Sequence, residues 1–322
     1  MTKQQLPEKI EYAAALAVVK DLIHSSLLDS DALVSEMMHH LTLSEGKNFR
    51  ALLLMAAASD DSGNVPKNAL VAAAAMEMLH LASLVHDDVI DNADTRRGLP
   101  SVRESFGNKS AVIAGDYLFC KCFLLTAELS EHFQSRFLDI AKTMSKLCLG
   151  EMREMQHHGD TALSIRQYFR IIAGKTSALF ALALYSGALI GGADEKEARR
   201  LARFGHYIGM AFQLTDDCLD YQSDDQTMKK PVRHDLNDGV VTLPLIFALM
   251  QKPSLQAALK APLDTRGALA VAAEVIALGG VDRTMAVAGK YCDKAEKILD
   301  GVLEPKRDLL LSLLEKIKAR VY

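Results

Sequence analysis

PKNALVAAAAMEMLHLASLVHDDVID, residues 66–91, decides the fold class. It is rich in Ala, Leu and Met, all strong helix formers, and too long for a strand. The reading is one long helix, with Pro66 suited to its first turn. The helix ends on Asp87-Asp88-Val89-Ile90-Asp91. Residues at i and i+4 share a helix face, so Asp87 and Asp91 can point the same way. Carboxylates this close repel, and a helix C-terminus disfavours them further. Following an apolar run, they call for a counter-cation. Hard oxygen ligands suit Mg²⁺, which binds through a few carboxylates and completes its shell with water or phosphate.

A second copy stands in GMAFQLTDDCLDY, residues 209–221, as Asp216-Asp217-Cys218-Leu219-Asp220. A lone Asp-Asp pair is ordinarily a solvated helix end. Two copies, each closing an apolar run, point instead to a metal cage that holds a diphosphate.

The rest of the chain reads the same way. Its 322 residues are 49% hydrophobic, contain no Trp, and show no alternating β-branched run. An all-α protein is expected, as a single domain over 1–322, since no Pro/Gly/Ser-rich linker divides it. Helices are expected over 6–28, 66–91, 108–129, 131–158, 164–190 and 195–221, and beyond residue 241. Charged loops at 92–100 and 222–240 follow the two acidic motifs. A net charge of −4 gives no general affinity for nucleic acid. Five scattered cysteines and no signal-like apolar segment at the N-terminus predict reduced thiols in the cytoplasm. Glu77, His80 and Lys175 interrupt the apolar stretches, so no membrane span is expected. No P-loop or dinucleotide fingerprint is present.

Basic residues lie near the acidic motifs. Arg96-Arg97 follow the first and suit bidentate phosphate recognition, although adjacent arginines are more often surface charges. Lys47 and Arg50 mark a helix start, where phosphate is favoured. Lys175-Thr176 interrupt the apolar run IIAGKTSALFALAL, and Gly174 permits a kink there. Lys230 lies in the second charged loop. His80 reads as a core histidine on the motif-bearing helix, and His86 adjoins the carboxylates and can hydrogen-bond one.

The strings MEMLHLASLVHDDVIDNADTRRGLPS, AGDYLF, AGKTSALF, FQLTDDCLDY and KPVRHDLNDGVVTLPLIFAL resemble the trans-isoprenyl (polyprenyl) diphosphate synthase family. The resemblance runs from about residue 46 to about residue 248. It implies an all-α, isoprenoid-synthase-like bundle of helices around a central cavity. It implies a prenyltransferase that condenses isopentenyl diphosphate with an allylic diphosphate, farnesyl or geranylgeranyl, using three Mg²⁺ ions per site. Asp87, Asp88 and Asp91, with Asp216, Asp217 and Asp220 opposite, would hold the metal. Arg96 would contact the allylic diphosphate and Arg97 the isopentenyl diphosphate, the latter with Lys47, Arg50 and His80. Lys175, Gln213 and Lys230 would grip the leaving diphosphate. Thr176 and Gln213 would face the allylic cation.

The chain departs from the family pattern in three places. Glu45-Gly46-Lys47-Asn48-Phe49-Arg50-Ala51 lacks one basic residue and a Pro. Arg233-His234 replaces Gly-Asn, and Val240 replaces a loop Lys that helps close the site. Product length depends on cavity depth along the motif-bearing helix. Ala82 and Ser83 are small where family members that stop early carry aromatic residues, although small residues also serve close helix packing. A hexaprenyl to octaprenyl product is expected, heptaprenyl at the centre, with geranylgeranyl diphosphate as the alternative. A homodimer is expected. The catalytic half of a heteromeric synthase remains open. A class I terpene cyclase fits less well, because 6% aromatic residues give little to line a cation cavity.

Overall fold

The computed structural model describes residues 6–28, 32–43, 46–127, 129, 137–222, 236, 238–259 and 263–321. These residues are overwhelmingly helical. The helices are α1 (Tyr12–Leu28), α2 (Ala32–Leu43), α3 (Phe49–Ala58), α4 (Lys67–Ile90), α5 (Val102–Phe106), α6 (Asn108–Ala127) and α7 (Phe137–Gln156). They continue with α8 (Ile165–Ile172), α9 (Ala178–Ile190), α10 (Glu195–Gln222), α11 (Leu243–Gln251), α12 (Thr265–Ala277), α13 (Gly280–Leu299) and α14 (Lys306–Val321). The expected helices over 66–91, 108–129, 131–158, 164–190 and 195–221 are thus present with small shifts at their ends, residues 131–136 lying outside the described set.

The opening helix starts later than expected. Residues Lys9–Glu11 form a short strand, β1, antiparallel to β2 (Asn64–Pro66), with Ile10 opposite Val65. Pro66 therefore stands one residue before α4 as its extended N-cap rather than inside its first turn. The loop over 92–100 contains a second ribbon, β3 (Thr95–Arg96) paired with β4 (Leu99–Pro100). Helix α5 had no counterpart in the sequence reading. Its Ser101 accepts the N–H of Glu104, a helix-start pattern of Ser followed three residues later by Glu.

The chain gathers into two compact units. The first comprises residues 1–139, 183–201 and 302–310, the second residues 140–182, 202–301 and 311–322. In the first, α4 packs along α6 and also against α3 and α1. Its face from Ala69 to Ala75 is buried, as are Met78, Leu79, Ala82 and Val85. In the second, α11 is buried from Leu243 to Leu249 and packs on α13, which in turn meets α12.

Lys67–Ile90, Asn108–Ala127 and Ile165–Ile190 are, by length and composition, apolar enough to cross a bilayer even with Glu77, His80 and Lys175 among them. In the first and third, 72% and 67% of the most apolar window is buried, so their composition serves packing inside the fold.

Candidate active site

The first unit holds most of the expected basic residues, Arg96 at the end of α4 and Arg50 further back beside Glu77 and His80. Asp91 is the C-cap of α4, and its N–H donates to the Asp87 carbonyl at 2.8 Å. Asp91 is exposed and Asp87 partly so, one turn apart as their spacing requires. Asp88 faces inward and is 2% exposed. Arg96 closes on it, with Nε and Nη2 both 2.6 Å from Oδ1. A buried carboxylate needs such a partner, and a charge-assisted contact of this kind fixes the guanidinium plane.

The ribbon that carries both arginines turns through Arg97 and Gly98, with φ of 53° and 79°. A two-residue hairpin loop with both φ positive is a type I′ turn, which fits the twist of its strands. Glycine takes this conformation freely; Arg97 does so at a steric cost. The ribbon's base is tied down by Arg103, which donates to the Asn92 carbonyl and to Asp94, and by Ser101, which donates to the Ala93 carbonyl. The strained turn points the Arg97 guanidinium at Gly46, where a Cβ would come within 2.7 Å of Nη1. Gly46 adjoins the exposed Lys47.

His80 and Arg50 complete this group. Loss of hydration, then the charges of Arg50, Arg97 and Arg96, hold the His80 pKa well below 6.5. The imidazole is therefore neutral at physiological pH. Glu77 lies three residues earlier on α4 and accepts the Ala51 N–H at 2.8 Å. Burial pushes its carboxyl pKa upward, while Arg50, the Ala51 N–H and Arg97 pull it down. His86 does not turn to the carboxylates as expected. Its Nε2 lies 3.1 Å from the Val112 carbonyl and 3.5 Å from Asp116, both on α6.

The second unit holds the other acidic motif. Thr176 donates to Gln213 at 2.6 Å, Gln213 donates to Asp217 at 2.7 Å, and Tyr168 donates to the other Asp217 oxygen. Burial raises the Asp217 pKa to about 7, against the pull of Tyr168 and Gln213, with Asp216 and Glu154 raising it further. Asp216 pairs with Arg320 on α14, whose guanidinium also lies 4.7 Å over the Phe212 ring. Asp220 stands one turn further along α10.

Lys175 lies in a π-helical turn, Ala173–Ser177, between α8 and α9. Such turns insert one residue into a helix and often mark functional sites. The sequence reading expected that Gly174 permits a kink; what stands there is this π-helical turn. A Cβ on Gly174 would meet the Lys146 carbonyl at 2.7 Å, and one on Gly150 would meet the Lys175 N at 2.5 Å. The two glycines let α7 press against the turn, and Lys175 pairs there with Glu154 and, at 3.1 Å, with Glu151.

Lys230 lies outside the described residues; the other expected site residues fall in one or the other unit's group or, as Ala82 and Ser83, on α4. Ala82 is fully buried, and Ser83, 8% exposed, donates to the His80 carbonyl. Glu77, Tyr168, Glu151, Glu154 and Arg320 were missed as site residues. Glu77 left a trace, as a single acid within an apolar helix. Arg320 left none, since 104 residues separate it from Asp216.

Among the described residues, no three metal-ligating side chains of the His, Cys, Asp and Glu types converge on one point. Both motifs nonetheless offer only hard oxygen donors, and Asp87 and Asp91 reach the surface together. That set fits a cation such as Mg²⁺, which takes one or two carboxylates and fills its shell from phosphate and water.

The chain is similar to known proteins along most of its length. The Polyprenyl synthetase family model matches residues 31–276. Heptaprenyl diphosphate synthase component 2 from Geobacillus stearothermophilus is 36% identical over 310 residues, 95% of this chain and 96% of that protein. The crystal structure of heptaprenyl diphosphate synthase from Staphylococcus aureus matches with a TM-score of 0.91 at 26% identity, covering 97% of this chain and 99% of that one. Polyprenyl synthase from Caulobacter crescentus, solved in complex with calcium and isoprenyl diphosphate, matches with a TM-score of 0.88 at 30% identity, covering 96% and 94%.

Proposed function

Because this chain belongs to the polyprenyl synthetase family, we propose that it is a trans-polyprenyl diphosphate synthase that extends an allylic diphosphate with isopentenyl diphosphate to a medium or long product. The observation that carries the reading is the grouping of Arg50 and Arg97 about Glu77 and neutral His80 on α4, with Arg96 on Asp88 at its acidic end.

The residues divide the work. Arg96, held flat by Asp88, presents its remaining N–H donors to the allylic diphosphate. Arg97, with Lys47 and Arg50, takes the isopentenyl diphosphate, and His80 supplies a neutral hydrogen-bonding ring. Bidentate guanidinium contacts orient phosphate as well as bind it. Asp87, Asp91, Asp216 and Asp220 supply oxygen ligands for Mg²⁺. When bound, that metal neutralises diphosphate charge and makes it a better leaving group. Three ions per site are proposed, and the Caulobacter crescentus complex with calcium supports a divalent cation beside an isoprenyl diphosphate.

Lys175 moves from Glu154 and Glu151 to the departing diphosphate. Thr176 and Gln213 turn their oxygens toward the allylic cation, an electrostatic stabilisation of the kind that lowers such barriers most. Lys230 joins the grip on the diphosphate. The family resemblance implies that the released diphosphate takes the final proton.

The product proposed is hexaprenyl to octaprenyl, heptaprenyl at the centre, a reading supported by the small residues Ala82 and Ser83 and by the heptaprenyl synthases among its relatives. The chain works as one catalytic domain and as a homodimer. Exposed Val112, Ile113 and Leu124 on α6 support a covered face there. The word component in the name of the Geobacillus stearothermophilus relative keeps a heteromer in view. A cytoplasmic location is supported by five cysteines without a disulfide.

The test is incubation with Mg²⁺, farnesyl diphosphate and labelled isopentenyl diphosphate, followed by chromatography of the products. A ladder ending near heptaprenyl is expected. A ladder ending at geranylgeranyl supports the shorter alternative, and no extension of the primer overturns the reaction.

A further inference from the structure

Helix α3 starts without a local cap. Its N-cap residue, Asn48, is left-handed with φ 47°, and its side chain turns back to the Gly46 carbonyl instead of bonding the helix. The first N–H groups of a helix have no internal partner and must find one elsewhere. Here the partner comes from another helix. The Glu77 carboxylate accepts the Ala51 N–H at 2.8 Å, and the Arg50 N–H also bonds it. A carboxylate in this place is doubly favourable, because the N-terminus of a helix carries partial positive charge.

The position of Glu77 relates this cap to the substrate residues. It lies on α4 one turn before His80, on the same helix as the first acidic motif. Its charge acts on both Arg50 and Arg97. Three arginines stand in this group, and they disfavour one another: Arg96 acts against Arg97, and all three act against a protonated His80. Asp88 pairs with Arg96 and also acts on Arg97, whereas Glu77 acts on Arg97 and Arg50.

We propose that Glu77 is a positioning residue for the isopentenyl diphosphate site, capping α3 from α4 so that Arg50 is held in register with His80 and Arg97. The inference rests on the function proposed above. Glu77 itself touches no substrate. A diphosphate arriving at Arg50 meets a guanidinium whose backbone has already been fixed, so less ordering remains to be done on binding.

The test separates position from charge and from stability. Steady-state kinetics with both substrates varied would compare wild type, Glu77→Ala, Glu77→Gln and Arg50→Ala, each checked for helix content by circular dichroism. Glu77→Ala removes the acceptor. It should raise KM for isopentenyl diphosphate about tenfold, the effect of one lost hydrogen bond to a positioned group, while kcat and the allylic KM stay near wild type. Glu77→Gln keeps an acceptor oxygen and should recover most of that loss. In an Arg50→Ala background, Glu77→Ala should add little, as expected for residues that act as a unit. An active wild type whose Glu77→Ala variant keeps its KM for isopentenyl diphosphate overturns the role of Glu77 alone. So does a Glu77→Ala chain that loses its helical signal, or a Glu77→Gln variant as impaired as Glu77→Ala. A wild type that makes no product overturns the proposed reaction, and this inference with it.

Discussion

Arg320, in the last turn of α14, forms an ion pair with Asp216, the leading carboxylate of the second acidic motif. The two side chains are 24% and 39% exposed, so the pair is only partly shielded from water. A guanidinium thus stands on an oxygen that the proposed function gives to a metal ion. The same unit shows the converse at Lys175, a cation held by Glu151 and Glu154. Binding of metal and diphosphate is then an exchange of partners rather than the filling of bare charge. Arg320→Gln removes the competitor for Asp216. Exposed pairs contribute roughly 0–1 kcal/mol, so divalent-cation affinity should rise about two- to fivefold. Titration calorimetry with Ca²⁺ checks this, and unchanged or weaker binding would show that Arg320 does not compete.

The leading carboxylates of the two motifs, Asp87 and Asp216, are both half-buried and should be equally indispensable. Asp87→Ala and Asp216→Ala each remove an oxygen ligand and little apolar contact. Both should abolish turnover while leaving circular dichroism unchanged. Full activity of either variant at ordinary Mg²⁺ would sink the idea of a shared metal requirement.

The π-helical turn offers a test of how backbone proximity places Lys175. A methyl group at Gly174 would lie 2.7 Å from the Lys146 carbonyl and 3.1 Å from the Gly150 Cα. Neither backbone atom can yield without shifting α7. Gly174→Ala should therefore cost about 1–3 kcal/mol, the usual range for overpacking, and move Lys175 away from Glu151 and Glu154. A melting curve gives the first effect, and a weakened affinity for inorganic pyrophosphate gives the second. A variant as stable as wild type would show that α7 can retreat freely.

How far the sequence carried the reading follows from the range of the interactions involved. Helix α4 was legible because its composition and length leave no other state, and its acidic end because four-residue spacing is a local property. An irregularity around Gly174 was legible for the same reason, and it takes the form of a π-helical turn. Strand β1 was not, because a three-residue strand is defined by its partner, here residues 64–66. Tyr168 and Glu77 were not assigned roles because their partners, Asp217 and the α3 N-terminus, lie on other helices. The hairpin at Arg97-Gly98 was hidden by an arginine in a conformation that glycine or asparagine usually marks.

His80 sets a pH dependence whose sign can be worked out. Its native pKa is held well below 6.5, by burial first and then by three arginines. In the unfolded chain it regains an ordinary histidine pKa, so below pH 6.5 the unfolded state binds the proton that the native state refuses. Its contribution is therefore complete above pH 6.5 and declines as pH falls. Between pH 7.5 and pH 5.5 the loss should be about 1 kcal/mol. His80→Gln removes the titrating group, so its melting temperature should fall less than that of wild type over this interval. Parallel curves for the two proteins would mean that native His80 protonates normally.

Ala82 and Ser83 pose the sharpest choice. Ala82 is fully buried on α4, and Ser83 lies beside it, 8% exposed and bonded to the His80 carbonyl. Small buried residues on a helix can mark the wall of a channel or simply a close helix contact. If the growing tail passes them, Ala82→Phe or Ser83→Phe puts a ring in its path. The first condensations need only the space nearest Asp87 and should survive. Later ones should fail, and farnesyl or geranylgeranyl diphosphate should accumulate. If the two positions serve packing alone, the added ring costs about 1–3 kcal/mol of stability, and product length is unchanged. Product chromatography beside a melting curve distinguishes the two. A shortened product from a protein that melts near the wild-type temperature places the tail along α4. A destabilised protein with an unchanged product removes these residues from the control of chain length.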